Sequence, residues 1–254
     1  MRLSFSYLLL ITWFAVAISC KTNYVPTSYN AQNISVSTNA HSTDSQLIQM
    51  YLPYKKNLEK DMQRIICTSE KEMFKGRPES YLTNFLADML LAEAKNEAKN
   101  SELKINTDIS YFNYGGIRTF LPEGEITMGK IFELMPFENE LVFIQLSGEQ
   151  IQEFLNHLAE KGGESVGGIR YVISNGKAIN IQINGTTMIS DEKYWLATND
   201  YVAEGGDGLE VFTHRSEIIR PGKKIRTLII DYFKKSNKNG KKLNAELDGR
   251  VKNG

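Results

Sequence analysis

Cysteine and histidine are scarce in this chain, with two cysteines and three histidines among 254 residues. Two thiols cannot build a disulfide framework, and His41, His157 and His214 stand far apart, which severely limits any metal centre based on imidazole. Net charge is missing as well, because 30 basic side chains face 30 acidic ones. Nothing global therefore draws the chain to nucleic acid or to anionic lipid, and a charged ligand has to be met locally. What remains is ordinary for a folded domain. Hydrophobic residues make up 41% and charged ones 24%, which excludes disorder throughout and supplies enough core for one large domain or two small ones.

The N-terminus reads as an export signal. Met1 and Arg2 precede an apolar stretch, residues 3–18, which is interrupted by Ser4, Ser6 and Thr12 and is too short for an ordinary transmembrane helix. Its end, Ala17-Ile18-Ser19-Cys20, resembles the bacterial lipobox. That resemblance implies cleavage after residue 19, a diacylglyceryl group on Cys20, and attachment to a membrane of the cell envelope on its periplasmic or outer-surface side. An ordinary secretory signal followed by a chance cysteine is the alternative. Residues 20–44 are rich in Thr, Ser, Asn and Gln without apolar periodicity, so a flexible tether is expected there, followed by one folded domain over residues 45–254. With Cys20 lipidated, Cys67 has no intramolecular partner and reads as a small buried hydrophobe.

Beyond the tether, helical and extended patterns alternate. Leu47, Ile48, Tyr51, Leu52, Leu58, Met62 and Ile65 recur at helical intervals, and Leu82, Phe85, Leu86, Met89, Leu90 and Ala94 do so more strongly. Each set is expected to bury one face. Short β-type runs cover residues 108–112, 141–146, 170–173, 179–183 and 194–198, and Asn175-Gly176 and Asn184-Gly185 read as turns at strand ends. A further helix follows Gly148 through Ile151, Phe154, Leu155 and Leu158. Another opens at Pro221 and carries Ile225, Leu228, Ile229, Tyr232 and Phe233. His157 falls on a helix surface and His214 in a loop. The lysine-rich end, residues 234–252, is interrupted by Glu246 and Asp248 and reads as a solvated face, with residues 247–251 as a closing strand. The fold class is mixed α/β.

Three segments combine permissive glycines with polar or aromatic side chains, a composition suited to ligand loops at strand ends. In Asn113-Tyr114-Gly115-Gly116-Ile117-Arg118, the glycines allow close backbone approach and the guanidinium can grip a phosphate or carboxylate through two parallel hydrogen bonds. A turn beside a surface arginine accounts for the same residues. In Met135-Pro136-Phe137-Glu138-Asn139, proline stiffens the chain ahead of an aromatic ring and an amide, and the ring also suits a core. In the run from Asn199 to Gly208, Gly205, Gly206 and Gly208 surround Asp207, whose carboxylate is suited to a vicinal diol; a capped turn is the alternative.

In this order the three segments resemble the C-terminal, substrate-binding domain of the bacterial and animal 5'-nucleotidases, a family that includes UDP-sugar hydrolases and cyclic-phosphodiesterase relatives. The likeness runs over residues 77–251 and takes in Arg77-Pro78-Glu79-Ser80 with Leu82, Asn84, Ala87 and Asp88, similar to a family motif that opens a helix. The resemblance implies a domain of two sheets layered between helices. It implies that Phe137 and Tyr201 sandwich a nucleobase, with Asn139 and Asn113 hydrogen bonding nearby, Asp207 taking the ribose hydroxyls, and Arg118 and Arg77 facing the ribose and phosphate end. Two residues depart from the pattern. Glu138 stands where glycine is common and brings a carboxylate that would crowd or repel a phosphate, and Tyr201 replaces the more usual phenylalanine.

Phosphate-cleaving members of this family carry a preceding metallophosphoesterase domain with two metals. The chain has no Asp-x-His, Gly-Asn-His-Glu or Gly-His-x-His segment. The expectation is therefore a lipid-anchored domain that binds nucleotide or nucleoside, holds no cofactor and no metal itself, and works with a separate metallophosphoesterase subunit that brings the divalent metals. Two other readings stay open: a lipoprotein that captures nucleosides or nucleotides without catalysis, and a scaffold that keeps only the fold.

Overall fold

A computed structural model of the protein describes residues 31–34 and 44–254. The expected export signal, the expected lipidation site Cys20, His41 and nearly all of the expected tether lie outside the described residues.

The first helix, α1 (Ser45–Met62), follows the predicted periodicity but buries none of its residues. Tyr54 is 76% and Leu58 60% exposed. The expectation that this set covers a buried face is corrected here. Only Met62, at its C-terminal end, packs partly against the core, and Ile65 has already left the helix for strand β1 (Ile65–Ser69). Helix α2 (Tyr81–Asn100) behaves as its pattern requires. Ser80 accepts a hydrogen bond from the Thr83 backbone N–H while the Thr83 hydroxyl accepts from the Ser80 N–H, a reciprocal cap that fixes where the helix begins. Leu82, Phe85, Leu86, Met89, Leu90 and Ala94 are buried on its inner face.

The chain continues through β2 (Thr107–Tyr111), β3 (Gly124–Thr127), α3 (Met128–Leu134), β4 (Leu141–Ser147) and α4 (Gly148–Glu160). Then come β5 (Val166–Gly167), β6 (Ile169–Ser174), β7 (Lys177–Ile183), β8 (Thr186–Thr187), β9 (Lys193–Asn199), the short helix α5 (Asp200–Ala203), β10 (Glu217–Ile219), α6 (Ile225–Lys238) and β11 (Val251–Asn253). Asn175 and Gly176, both at positive φ, close the two-residue β6–β7 hairpin that was expected of them. Three expectations shift. Helix α6 opens at Ile225 because Gly222 sits at positive φ and Lys224 is still bridged to Glu140. The closing strand runs Val251–Asn253, parallel to β6, instead of over residues 247–251. His214 ends a 3-10 turn, Glu210–His214, and does not lie in an open loop.

A five-stranded sheet has the order β10-β4-β9-β2-β5, a four-stranded sheet the order β11-β6-β7-β8, and β1 pairs with β3 as a separate ribbon. Strand β4 is buried on both faces, and its alternation divides the core in two. Leu141 and Phe143 join α2, α3 and α6 in one apolar cluster. Val142, Ile144 and Leu146 join α4 and the four-stranded sheet in the other. The fold is layered, as the resemblance implies, but α4 and the four-stranded sheet together cover one face of the five-stranded sheet while α2, α3 and α6 cover the other. Cys67 is fully buried in the first cluster, as expected.

Strands β2 and β9 run parallel and side by side. Their C-terminal ends therefore open on the same edge of the sheet, where an α/β fold presents its loops to a ligand. Asn113 lies just past the end of β2, and Asn199 is the last residue of β9.

Candidate functional site

At that edge lies a cavity of about 350 Å³ lined by Asn113, Gly115, Gly116, Arg118, Phe137, Asn139, Tyr201 and Asp207, within the size range of small-molecule sites. The three segments singled out in the sequence meet here, separated by up to 94 positions in the chain.

The foundation is a chain of buried amides. Asn199 caps α5 by accepting from the Val202 N–H at 3.0 Å, and its own amide N–H donates to the Asn113 side-chain oxygen at 3.0 Å. Asn113 in turn donates to Asp207 Oδ2 at 2.7 Å. Both asparagines are nearly inaccessible to water, so the network holds one geometry. Gly116 is required by it, since a Cβ there would stand 2.6 Å from the Asn113 side-chain oxygen. Asn113 therefore spends one donor and its acceptor inside the protein, and its clearest effect is to aim Asp207.

Asp207 adopts φ 56° between Gly205 and Gly208, both also at positive φ. Its Oδ1 accepts from the Tyr201 hydroxyl at 3.1 Å, and the same hydroxyl accepts from the Asp207 backbone N–H at 3.3 Å. Each carboxylate oxygen has a further lone pair to offer a ligand. Gly206 lets the Tyr201 ring lie flush, since a Cβ there would come within 2.6 Å of that ring. Tyr201 and Phe137 are the two large aromatic side chains of the cavity, and both are exposed.

Phe137 rides on the segment that follows α3. Arg226 supports that segment by donating to the backbone oxygens of Met135 and Phe137 at 3.2 and 3.3 Å, and Ile225 N–H donates to the Asn139 carbonyl at 2.9 Å. The carboxylate of Glu138, expected to crowd the cavity, is paired with Arg226 and is not among the lining residues. Arg118 lies 5.9 Å from the Phe137 ring centre and donates to the Gly115 carbonyl at 3.3 Å.

Arg77 does not join the cavity lining. It donates to the buried Glu164 carboxylate and lies 4.3 Å from the Tyr114 ring centre. Glu164 also accepts from the Tyr111 hydroxyl at 2.7 Å and from the Tyr114 N–H at 3.2 Å. Burial, followed by the Glu164 charge, holds the Tyr111 phenol well above its ordinary pKa, so it stays a donor. Lys75 sits 4.4 Å from the same Tyr114 ring and donates to the Tyr114 and Ile117 carbonyls. Its pKa is lowered by desolvation first and then by repulsion from Arg118 and Arg77. The arginine that the resemblance places at the ribose and phosphate end thus braces the Asn113–Arg118 segment from behind.

Sequence reading missed Asn199 as the start of the network and Glu164 as the anchor of Arg77. Among the described residues, no group of three or more His, Cys, Asp or Glu side chains is arranged to hold a metal ion.

Comparison with known proteins gives a consistent picture. The family model described as 5'-nucleotidase, C-terminal domain, matches residues 65–214. The trifunctional nucleotide phosphoesterase protein YfkN of Bacillus subtilis (strain 168) is 35% identical over 190 residues, which is 68% of this chain and 12% of that protein. A 5'-nucleotidase of Vibrio vulnificus (strain CMCP6) is 30% identical over 124 residues, 47% of this chain and 22% of its own length. Among solved structures, a 5'-nucleotidase precursor from Thermus thermophilus superposes with a TM-score of 0.68 and 26% identity, covering 81% of this chain and 42% of that one. The chain spans less than half the length of each of these relatives. With the family model matching more than half of its residues, the chain belongs to the 5'-nucleotidase C-terminal domain family.

Proposed function

We propose that this domain binds a nucleotide or nucleoside between Phe137 and Tyr201 and supplies substrate recognition for phosphate ester hydrolysis carried out by a separate metallophosphoesterase chain. The observation that carries the reading is the convergence of two exposed aromatic rings, one fixed carboxylate, two amides and one guanidinium on a single cavity. The rings would stack on the base at about 1–3 kcal/mol each, a contact that tolerates any base because all share a π-face. Asp207 would accept from the ribose hydroxyls, Asn139 would bond near the base, and Arg118 would face the phosphate. The names of the relatives, nucleotide phosphoesterase and 5'-nucleotidase, support the substrate class.

In this reading the described residues contribute binding and orientation, and divalent metals held by the partner would supply water activation and charge neutralisation at the phosphate. Cys20 carries the lipid that anchors the domain in the cell envelope, and neither a cofactor nor nucleic acid is a ligand of this chain.

The test is thermal unfolding with and without AMP and adenosine. Protection is expected for the wild type and is expected to vanish in Phe137→Ala with Tyr201→Ala; protection that survives both substitutions rules out this cavity. Pure chain supplied with manganese or zinc should release no phosphate from AMP, and turnover by rigorously pure protein overturns the split arrangement. Failure of a metallophosphoesterase to copurify, with nucleotide protection intact, favours a capture protein. Loss of lipid labelling in Cys20→Ser checks the anchor.

A further inference from the structure

Asp207 is held from behind as well as from inside the cavity. Its backbone carbonyl oxygen accepts from Lys161 Nζ at 2.9 Å and lies 3.1 Å from His157 Nε2. A carbonyl oxygen can only accept, so Nε2 is the protonated nitrogen in this contact. His157 lies in the last turn of α4 and Lys161 caps that helix, four residues on and along the same face. The helix is itself fixed in the core through Phe154, Leu155 and Leu158. Gly208 lets the loop close on it, since a Cβ there would stand 3.2 Å from His157 Cε1.

Every polar atom of Asp207 is thereby engaged. The N–H donates to Tyr201, the carbonyl takes the two α4 donors, and the carboxylate oxygens take Tyr201 and Asn113. The residue's φ of 56° lies in the left-handed region, which aspartate tolerates better than most side chains and which these contacts hold in place. Stacking of a base between rings tolerates small displacements, whereas two hydrogen bonds from a vicinal diol to one carboxylate require its orientation to be fixed.

We infer that Lys161 and His157 are positioning residues for sugar recognition: by clamping the Asp207 backbone to α4 they make the site prefer ribonucleosides over 2'-deoxyribonucleosides. The inference rests on the nucleoside reading above and adds to it a sugar preference together with the residues that set it. Neither residue lines the cavity, so both act through Asp207.

Calorimetric titration of the purified chain with adenine, adenosine and 2'-deoxyadenosine tests it. The wild type is expected to bind adenosine about tenfold more tightly than 2'-deoxyadenosine, the effect of one hydrogen bond to a charged acceptor. In Lys161→Met with His157→Leu, that ratio should fall to about twofold or less while adenine affinity holds, and Lys161→Arg alone should keep the ratio. Melting curves show whether the variants are folded. A double variant with the wild-type ratio overturns the inference, as does one that loses adenine and adenosine affinity equally, or a wild type that binds both nucleosides alike. A wild type that binds none of the three ligands removes the nucleoside reading itself, and that result is visible before any variant is made.

Discussion

Tyr201 and Asp207 are bonded to each other twice, the phenol donating to the carboxylate and accepting from the same residue's backbone N–H. The hydroxyl that a phenylalanine lacks thus sits at the junction between the aromatic ring and the carboxylate of the cavity. Tyr201→Phe keeps the stacking face but frees Asp207 on one side. Because Tyr201 is half exposed, water competes for these bonds, and a stability loss of about 0.5–1 kcal/mol in urea unfolding is expected. Nucleoside affinity should drop severalfold in titration, with adenine affinity little changed. Unchanged stability and affinity together would show that the pair is incidental.

Glu138 offers a test of local geometry. As a free carboxylate beside the cavity it would oppose a phosphate, but its pairing with Arg226 takes it out of the lining and reduces its field there. Glu138→Gln is therefore expected to leave AMP affinity within about twofold of wild type, the range of a screened surface charge. A tenfold gain in AMP affinity, without a matching gain for adenosine, would mean that the carboxylate still acts on the phosphate.

Arg77 should matter more for stability than for binding. Its partner Glu164 has only 6% of its side chain exposed, and Arg77 is the only basic group bonded to it among the described residues. Arg77→Ala leaves a buried carboxylate held only by Tyr111 and a backbone N–H, a change expected to cost about 3 kcal/mol. Chemical denaturation would read this directly. If Arg77→Ala instead unfolds at the wild-type denaturant concentration while losing AMP affinity, Arg77 acts on the ligand as the family resemblance implied.

These contrasts mark what was legible in the sequence. The α2 stripe and the β4 run were readable because burial on one face or two leaves a period in the chain. The cavity was readable because its glycines, its aromatics and Asp207 sit in short segments, and every predicted member except Arg77 lines it. Periodicity reports amphipathic character and not whether a partner exists, so α1 looked buried and is exposed. Pairings between distant positions leave no local trace. Arg77 and Glu164 are 87 residues apart, and the two α4 donors meet Asp207 across about 50. Asn199 did carry a signal, since an asparagine ending a β-type run ahead of Asp200 is a helix N-cap pattern.

Cys67 supplies a prediction that is independent of the ligand. Burial among apolar neighbours pushes its thiol from 9.0 up to about 12. The folded state then keeps the proton at a pH where the unfolded chain releases it. Stability owed to this group is fully present below about pH 9 and is lost as pH rises from there toward 12, by up to about 1.4 kcal/mol per pH unit. Below pH 9 the thiol should be silent to a disulfide-exchange reagent in native protein and react on unfolding, because the thiolate is the nucleophile. Cys67→Ala removes this slope. Unfolding free energies measured at pH 8 and pH 10 should therefore differ more for the wild type than for the variant, and equal differences in the two proteins would show that the thiol ionises in the folded state as readily as in the unfolded one.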